Sequence, residues 1–309
     1  MPDNRRFLLV RRPKGEPVPE DFSLVTEPTP ALAEGQFLIR NHYASLDPAI
    51  RGWMDDAPSY MPPIPLGDPV RASTIGIVEA SKADGFVPGQ WVMGLNGIED
   101  YSVGTVGGFT QPIDAILVPS VTNYLSVLGA VGSLVGQIAK IKGASKVIGI
   151  AGGPAKCAKL TDRYGFDAAI DYRGKDVQAL TDAIRAEAPD GVDIIFENVG
   201  GDILDAGLNN LRHGARIGLC GLISEYNSVE KVGARNIWQL IVHRASIRGL
   251  LVADYIPRFA EGGAEMAAWL QQGKMTADEH VDEGIENSFD AFMRLFAGSN
   301  QGKMILKIA

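Results

Sequence analysis

The sequence predicts an α/β protein with two domains, one β-rich and one built around a doubly wound parallel sheet. The first observation is size, because 309 residues of which 46% are hydrophobic can bury two cores. The second is that residues 1–121 show short strand patterns separated by Pro and Gly. The third is the alternation of strand and helix patterns over residues 122–275, which is typical of βαβ units.

Within the second block, the strand patterns predict a Rossmann-like sheet. Strands are predicted over 146–150, 168–171, 192–196 and 215–219, and the third of them is apolar enough to be expected buried. Helices are predicted over 136–143, 155–164, 177–187 and 203–211. A last helix is predicted over 287–297 and a last strand over 304–307. Because this strand follows the doubly wound block, residues 276–309 are expected to return to the first domain.

Charge and hydropathy exclude two classes of partner. A net charge of −8 leaves no basic face to neutralise phosphates, so nucleic acid is not expected. No apolar run reaches the about 18 residues of a membrane span, and the apolar run at residues 7–10 is too short for a secretory signal. We expect a cytoplasmic protein.

Cysteine and histidine usage argues against a metal site. Cys157 and Cys220 are the only two cysteines, and we expect buried, reduced thiols. The four histidines are scattered, whereas a structural zinc needs about four clustered ligands and a catalytic one about three. No metal is predicted.

A glycine-rich segment indicates a dinucleotide site. Gly129, Ala130, Val131 and Gly132 open a predicted helix, whose first N–H groups and dipole favour a pyrophosphate. A glycine-rich helix start is also common for purely structural reasons, so this segment by itself is a weak indication.

The residues after the next predicted strand distinguish between the two dinucleotides. NAD-binding chains place an acid there, about 20 residues after the glycines, to bind the ribose hydroxyl. This chain has Gly152 and Gly153 instead, followed by Lys156. An ammonium attracts a 2′-phosphate that a carboxylate would repel, so NADPH is predicted; the alternative is a solvated helix lysine.

Several motifs resemble the zinc-independent medium-chain reductases, which include prostaglandin reductases, plant double-bond reductases and curcumin reductase. The resemblance covers nearly the whole chain in order. The matching segments are 45–48 (SLDP) with Arg51, 129–132 (GAVG), Lys156, 165–167 (GFD), 171–172 (DY), 198–201 (NVGG), 220–227 (CGLISEYN), Asn300 and 302–303 (GK).

The resemblance implies a GroES-like first domain, a homodimer and a set of NADPH contacts. Residues 129–132 would meet the pyrophosphate, and Lys156 and Tyr172 the 2′-phosphate. The remaining implied contacts are Asn198, Cys220, Gly221, Ile223, Ser224, Tyr226, Leu250, Leu251, Val252 and Asn300.

The resemblance also implies a chemistry. Family members send hydride to the carbon β to a carbonyl, hold the resulting enolate by hydrogen bonds and protonate the α carbon. Tyr60 and Tyr255 match positions that face the substrate. A tyrosine hydroxyl donates a hydrogen bond without ionising at neutral pH. The expected substrates are therefore small apolar enones or enals, although either tyrosine is compatible with a purely structural role.

The chain departs from the family pattern in two places. Ala49 replaces an aromatic residue that is common after the Asp47–Pro48 pair. Relatives also carry about 30 more residues before the glycine motif, including the first strand of the Rossmann-like sheet, which positions the phosphate-binding turn. Either residues 124–128 replace that strand, or the sheet has a gap that exposes apolar edges.

Two alternatives to an enone reductase remain open. A quinone reductase would share this fold and cofactor. The shortened chain could also be a catalytically silent protein that persists as a nucleotide-binding or dimeric scaffold.

Overall fold

The computed structural model describes residues 2–129 and 131–309. The described residues form two units, 2–129 with 277–309 and 131–276. Along the chain the strands are β1 (Asp3–Leu9), β2 (Phe22–Pro28), β3 (Gln36–Ser45), β4 (Arg71–Ser81), β5 (Trp91–Gly97), β6 (Tyr101–Thr105), β7 (Gln111–Pro112), β8 (Ile148–Ala151), β9 (Ala168–Asp171), β10 (Val192–Glu197), β11 (Leu211–Leu219), β12 (Ser246–Gly249), β13 (Glu279–Glu283) and β14 (Lys303–Lys307).

The α-helices connect these strands. They are α1 (Ala49–Trp53), α2 (Asn123–Gly129), α3 (Val131–Ile141), α4 (Pro154–Asp162), α5 (Val177–Glu187), α6 (Gly201–Leu208), α7 (Ile223–Tyr226), α8 (Gln239–His243), α9 (Phe259–Gln271) and α10 (Ser288–Ala297). Short 3-10 helices span Pro19–Asp21, Ala115–Leu117, Val252–Arg258 and Ile285–Asn287.

The first unit is built around a mostly antiparallel sheet with the strand order β13-β14-β3-β4-β5-β7, and β6 pairs with β3. The late strand β14 runs antiparallel to β3, with Ile305 opposite Ser45. Its side chains Leu306 and Met304 join Leu9 and Leu46 in the main core of this unit. The end of the chain therefore completes the first unit's sheet.

The second unit holds parallel strands in two separate sheets, β8-β9 and β10-β11-β12. In a doubly wound sheet, the first strand lies between the second and the fourth and precedes the first helix. Among the described residues of this unit, no strand precedes α3 and no ladder joins β8 to β10. The α/β fold predicted from the sequence is confirmed, but its sheet has a gap where the central strand belongs.

Residues 124–128 do not replace the absent strand. They belong to helix α2 in the first unit, where Leu125 is buried against Ile75 and Ile305. Burying Leu125 on this helical face competes with an extended conformation, so the alternative of a substitute strand is wrong.

The two halves of the parallel sheet share one hydrophobic cluster. Ile150 of β8 and Val192 of β10 pack against a cluster that contains Leu180 and Ile184 of α5. Ile194, at the centre of β10, is nevertheless 64% exposed, so the prediction that residues 192–196 form a buried strand is wrong. A strand beside a gap lacks a neighbour on one side, which leaves its side chains partly uncovered.

No described helix is long and apolar enough to cross a membrane. Within the same ranges, no group of three or more His, Cys, Asp or Glu side chains could hold a metal ion.

Candidate functional site

The end of β8 turns sharply into α4 at two glycines. Gly153 has φ 92°, a conformation that favours glycine, and Pro154 begins the helix. The Gly153 N–H donates to Asp171 Oδ1 at 2.8 Å, and the same oxygen accepts the Arg173 N–H at 3.0 Å. These backbone hydrogen bonds, led by the one from Gly153, hold the pKa of Asp171 below its ordinary value. One carboxylate thus ties together the loops that follow β8 and β9.

Two side chains of the second loop cover this glycine turn. A Cβ atom added to Gly152 would lie 3.0 Å from the Tyr172 hydroxyl, and one added to Gly153 would lie 3.1 Å from Arg173 Nη1. Tyr172 is 40% exposed, so its ring remains open to a ligand. Larger residues at 152 and 153 would displace a phenol and a guanidinium that face the start of α4.

Lys156 lies in the first turn of α4, three residues after Gly153. Burial lowers the pKa of its ammonium, and the positive charges of Arg173 and Lys159 lower it further. Among the described residues Lys156 has no ion-pair partner. A half-buried, unpaired ammonium beside a second cation suits an anionic group, so these residues fit the 2′-phosphate of NADPH.

The end of β10 is organised by a buried carboxylate. Glu197 is 3% exposed and accepts the N–H groups of Val199 and Gly200. Burial raises the pKa of Glu197, while these hydrogen bonds oppose the rise. The buried Glu197 carboxylate therefore anchors the loop that begins at Asn198, because it accepts backbone hydrogen bonds from that loop.

The loop after β11 is attached to the loop that begins at Asn198. The Ile223 N–H donates to the Asn198 carbonyl at 3.0 Å, and Ser224 Oγ donates to the Val199 carbonyl at 2.6 Å. A Cβ added to Gly221 would lie 3.0 Å from the Tyr226 hydroxyl and 3.3 Å from the Asn198 carbonyl oxygen. The structure therefore brings together Asn198, Gly221, Ile223, Ser224 and Tyr226.

Cys220 leads into this loop. It follows the last residue of β11 and is exposed, while Cys157 is partly buried and both thiols are free. The expectation of two buried thiols is therefore wrong. Cys220 lies outside the sheet because the chain leaves β11 at Leu219.

The glycine motif is split between the two units. Gly129 ends α2, Ala130 lies outside the described residues, and Val131 begins α3. Gly132 is the second residue of α3, and the nearest atom to a Cβ added there is Asn198 Nδ2 at 3.9 Å. The described motif residues thus form helix ends rather than a turn after a strand, and Gly132 lies close to the loop that begins at Asn198.

The segment after β12 is placed next to the same sheet. The Leu250 N–H donates to the Leu219 carbonyl at 2.8 Å, and Leu251 precedes the 3-10 helix Val252–Arg258. Within that helix Val252 is 61% exposed and Tyr255 is 38% exposed. Tyr255 therefore offers part of its ring to a ligand in the second unit.

The other predicted site residues lie in the first unit. Tyr60 is 54% exposed, and its ring meets Trp53 edge-on with centroids 6.4 Å apart. Asn300 lies in the turn before β14, where its amide donates to the Gly302 carbonyl at 2.8 Å. Each side chain is accessible or partly accessible on its own unit.

Some motif residues behind the resemblance have a structural function. Lys303 is buried, pairs with Asp47 and donates to the Leu46 carbonyl at 3.1 Å, which joins β14 to the end of β3. Buried Arg51 donates to the Gly15 carbonyl at 2.9 Å and to Asp55 at 2.6 Å. These residues hold the first unit together.

Sequence reasoning missed Arg173, which lies near the glycine turn. The available signal was its position directly after Tyr172 at the end of a predicted strand. Exposed arginines are common, and only the fold shows that this guanidinium lies over Gly153.

Comparisons with known proteins agree with this architecture. Family models described as the N-terminal domain of oxidoreductase and as zinc-binding dehydrogenase match residues 5–111 and 130–269. The chain is 35% identical over 339 positions to the NADPH-dependent curcumin reductase of Escherichia coli, covering 99% of this chain and 97% of that protein. It is 34% identical over 301 positions to an NADP(+)-dependent 2-alkenal reductase of Nicotiana tabacum, covering 88% and 87%.

A solved structure shows the same fold. CurA from Vibrio vulnificus, in complex with NADPH, has a TM-score of 0.87 and 37% identity over 99% of both chains. The alignment with the E. coli protein is 339 positions long against 309 residues here, so at least 30 of its positions have no residue from this chain. This chain belongs to the zinc-independent medium-chain reductase family, and among its described residues no strand occupies the central position of the parallel sheet.

Proposed function

We propose that this protein is an NADPH-dependent reductase of carbon–carbon double bonds conjugated to a carbonyl. One observation carries the proposal: the Tyr172 hydroxyl and the Arg173 guanidinium lie over the Gly152–Gly153 turn at the end of β8, and Lys156 follows in the first turn of α4, where Arg173 acts on it electrostatically. Asp171, at the end of β9, accepts backbone N–H groups from that turn and from its own loop. This arrangement favours a phosphorylated ribose, and the relatives named for curcumin and alkenal reduction support the reaction class.

Three parts of the chain bind different parts of the cofactor. Lys156 and Tyr172 hold the 2′-phosphate end, α3 offers its first N–H groups to the pyrophosphate, and the loops after β10 and β11 line the remainder. NADPH, when bound, supplies the hydride that goes to the β carbon of the substrate.

The two tyrosines act on the carbonyl side of the reaction. On the family resemblance, we assign each hydroxyl, that of Tyr60 on the first unit and that of Tyr255 on the second, as a hydrogen-bond donor to the substrate carbonyl oxygen, where negative charge develops during the reaction. The enolate then takes a proton from solvent water at its α carbon, which leaves a saturated ketone or aldehyde and hydroxide that the buffer neutralises. A neutral phenol suits this task because it stays protonated at neutral pH. No metal is needed in this scheme.

Removing either hydroxyl tests this assignment. We expect Tyr60→Phe and Tyr255→Phe to lower kcat/KM for an enone by roughly ten- to a hundredfold, in the range of a lost oxyanion donor. NADPH affinity, measured by fluorescence titration, should change by less than about twofold, because neither hydroxyl is assigned to the cofactor. Tyr43→Phe, on β3, is the matched control. Unchanged kcat/KM in both variants would remove the tyrosines from the mechanism.

The function itself is tested by NADPH oxidation across enones, alkenals and quinones, with product identification. A saturated ketone or aldehyde as the main product supports the proposal. Turnover restricted to quinones would favour a quinone reductase. NADPH binding without turnover would favour the scaffold alternative, for which the gap in the parallel sheet is the specific argument.

We also propose that the protein forms a homodimer through β12. This strand is the outer edge of its sheet, and all four of its residues are exposed. Trp238 and Ile241, near α8, are both 65% exposed. A second copy related by a two-fold axis would pair with the free edge and cover these apolar side chains.

The dimer is tested by one charge placed on that edge. Light scattering on the native protein is expected to give twice the 33.0 kDa mass of one chain. Ile247→Lys should give the mass of a single chain, because the edge would carry two facing ammonium groups. Val229→Lys is the control, at a position that is 85% exposed outside any strand. A monomeric native protein would disprove the assignment.

A further inference from the structure

We propose that Arg173 is a second cation of the 2′-phosphate site and a determinant of the preference for NADPH. The proposal rests on the proposed cofactor but not on the reaction that follows. It assigns a specificity function to a residue on the loop after β9, whereas the sequence pattern indicated only Lys156 and Tyr172.

Arg173 and Tyr172 lie over the glycine turn after β8. Arg173 Nη1 lies 3.1 Å from where a Cβ on Gly153 would be, and the Tyr172 hydroxyl lies 3.0 Å from where one on Gly152 would be. Gly152 and Gly153 are the two residues that connect β8 to α4. The phenol and the guanidinium therefore cover consecutive residues of the same turn, at the point where a ribose is recognised in this type of sheet.

The loop that carries Arg173 is anchored by backbone hydrogen bonds. Asp171 Oδ1 accepts the main-chain N–H of both Gly153 and Arg173, so one carboxylate joins the two loops. Lys175 adds a hydrogen bond of 2.7 Å from its ammonium to the Asp171 carbonyl. Because the Arg173 backbone is anchored, its guanidinium loses less freedom on binding a ligand than a free loop arginine would.

The positive charges near the glycine turn favour an anionic ligand. Among the described residues, the guanidinium of Arg173 makes no ion pair, and the same is true of the Lys156 ammonium. Arg173 also acts on Lys156 electrostatically, as does Lys159. Asp171 accepts two N–H groups and also attracts Arg173 electrostatically, so it offsets part of the positive charge at this turn. The repulsion between Arg173 and Lys156 would be relieved further by a bound anion, and a phosphate dianion is such an anion.

The chemistry of the side chain adds specificity. A guanidinium can present two parallel N–H groups to two phosphate oxygens, whereas an ammonium acts as a point charge. Lys156 then supplies long-range attraction and Arg173 supplies orientation. An unphosphorylated ribose offers hydroxyl acceptors but no anionic partner for either cation.

The test uses nucleotides that carry no nicotinamide. The native protein and the Arg173→Gln variant are titrated calorimetrically with 2′,5′-ADP, which carries the 2′-phosphate, and with 5′-AMP, which does not. We expect Arg173→Gln to weaken 2′,5′-ADP binding about tenfold and to leave 5′-AMP binding within twofold. Arg173→Lys should fall between the two, since it keeps the charge and loses the fork. Arg185→Gln, on the exposed side of α5, is the matched control.

Every outcome decides the proposal. Equal weakening of both nucleotides would mean that Arg173 supports the loop, and unchanged 2′,5′-ADP binding would mean that it does not reach the phosphate. Absence of 2′,5′-ADP binding to the native protein would also overturn the proposal. A native protein that binds 2′,5′-ADP through Arg173 but reduces no enone would contradict the proposed function and leave the assignment of Arg173 intact.

Discussion

Restoring a central strand ahead of α3 is expected to stabilise this protein and to tighten its binding of NADPH. The change is an insertion of about 30 residues between residues 128 and 129 that supplies the β-strand expected there in a doubly wound sheet. An extended strand there would pair with the free edges of both β8 and β10 and cover Ile194. It would also place the glycines in a turn that follows a strand, the geometry that aims backbone N–H groups at a pyrophosphate.

The expected gain in the free energy of unfolding is about 3 kcal/mol, comparable with fully burying one or two aliphatic side chains. For a domain of about 150 residues this corresponds to a rise in Tm of roughly 6–12 °C. NADPH affinity should increase by about tenfold or more, as expected for one restored hydrogen bond to a charged phosphate. Thermal melts and fluorescence titrations measure both quantities.

The matched control is a Gly/Ser insertion of equal length at the same place, which lengthens the connection without adding a strand. We expect it to leave Tm unchanged or lower it, since a flexible loop adds entropy to the unfolded chain. Equal Tm and equal affinity for the native protein and the strand insertion would contradict the argument. The gap would then have no energetic consequence for folding or for the cofactor.

Reversing the charge of Lys156 is expected to have the largest effect on cofactor choice. In Lys156→Glu, a carboxylate faces the 2′-phosphate from the first turn of α4 and repels it, while the ribose hydroxyl of NADH gains an acceptor. We expect kcat/KM for NADPH to fall about a hundredfold or more and kcat/KM for NADH to stay constant or rise. Steady-state kinetics with both cofactors measures the ratio.

Two controls separate this effect from a loss of folding. Lys82→Glu reverses a charge on the first unit, where its ammonium donates to the Leu32 carbonyl, and should leave the cofactor ratio unchanged. The Tm of Lys156→Glu should stay close to that of the native protein, because the half-buried Lys156 ammonium has no ion pair to lose among the described residues. An unaltered preference for NADPH in Lys156→Glu would refute the electrostatic assignment of this residue.

Much of the local structure was predictable from sequence. The observed β9 and α5 coincide with the predicted ranges, and α4 and α10 begin within one residue of theirs. Apolar periodicity and turn residues are local signals, so they predict such elements well. The position of Lys156 in the helix after β8, and the absence of an acid at residues 152–155, could also be predicted. The βα unit itself sets the distance from the strand end to the helix start.

Pairing between distant strands carries no such local signal. Tyr124 and Val127 have strand propensity, yet they lie in α2 because the buried position of Leu125 on a helical face outweighs propensity. The exposure of Ile194 and Cys220 likewise depends on which neighbours are present rather than on residue type.

The sequence by itself determined the α/β class, the order of the elements and the position of Lys156 at the start of the helix after β8. Only the tertiary structure decided that the parallel sheet stays divided between β8 and β10, and that Arg173 lies over Gly153. The physical reason is that helices and turns are specified by residues a few positions apart. The neighbours of a strand and the surroundings of a surface cation are instead set by segments that meet only when the whole chain has packed.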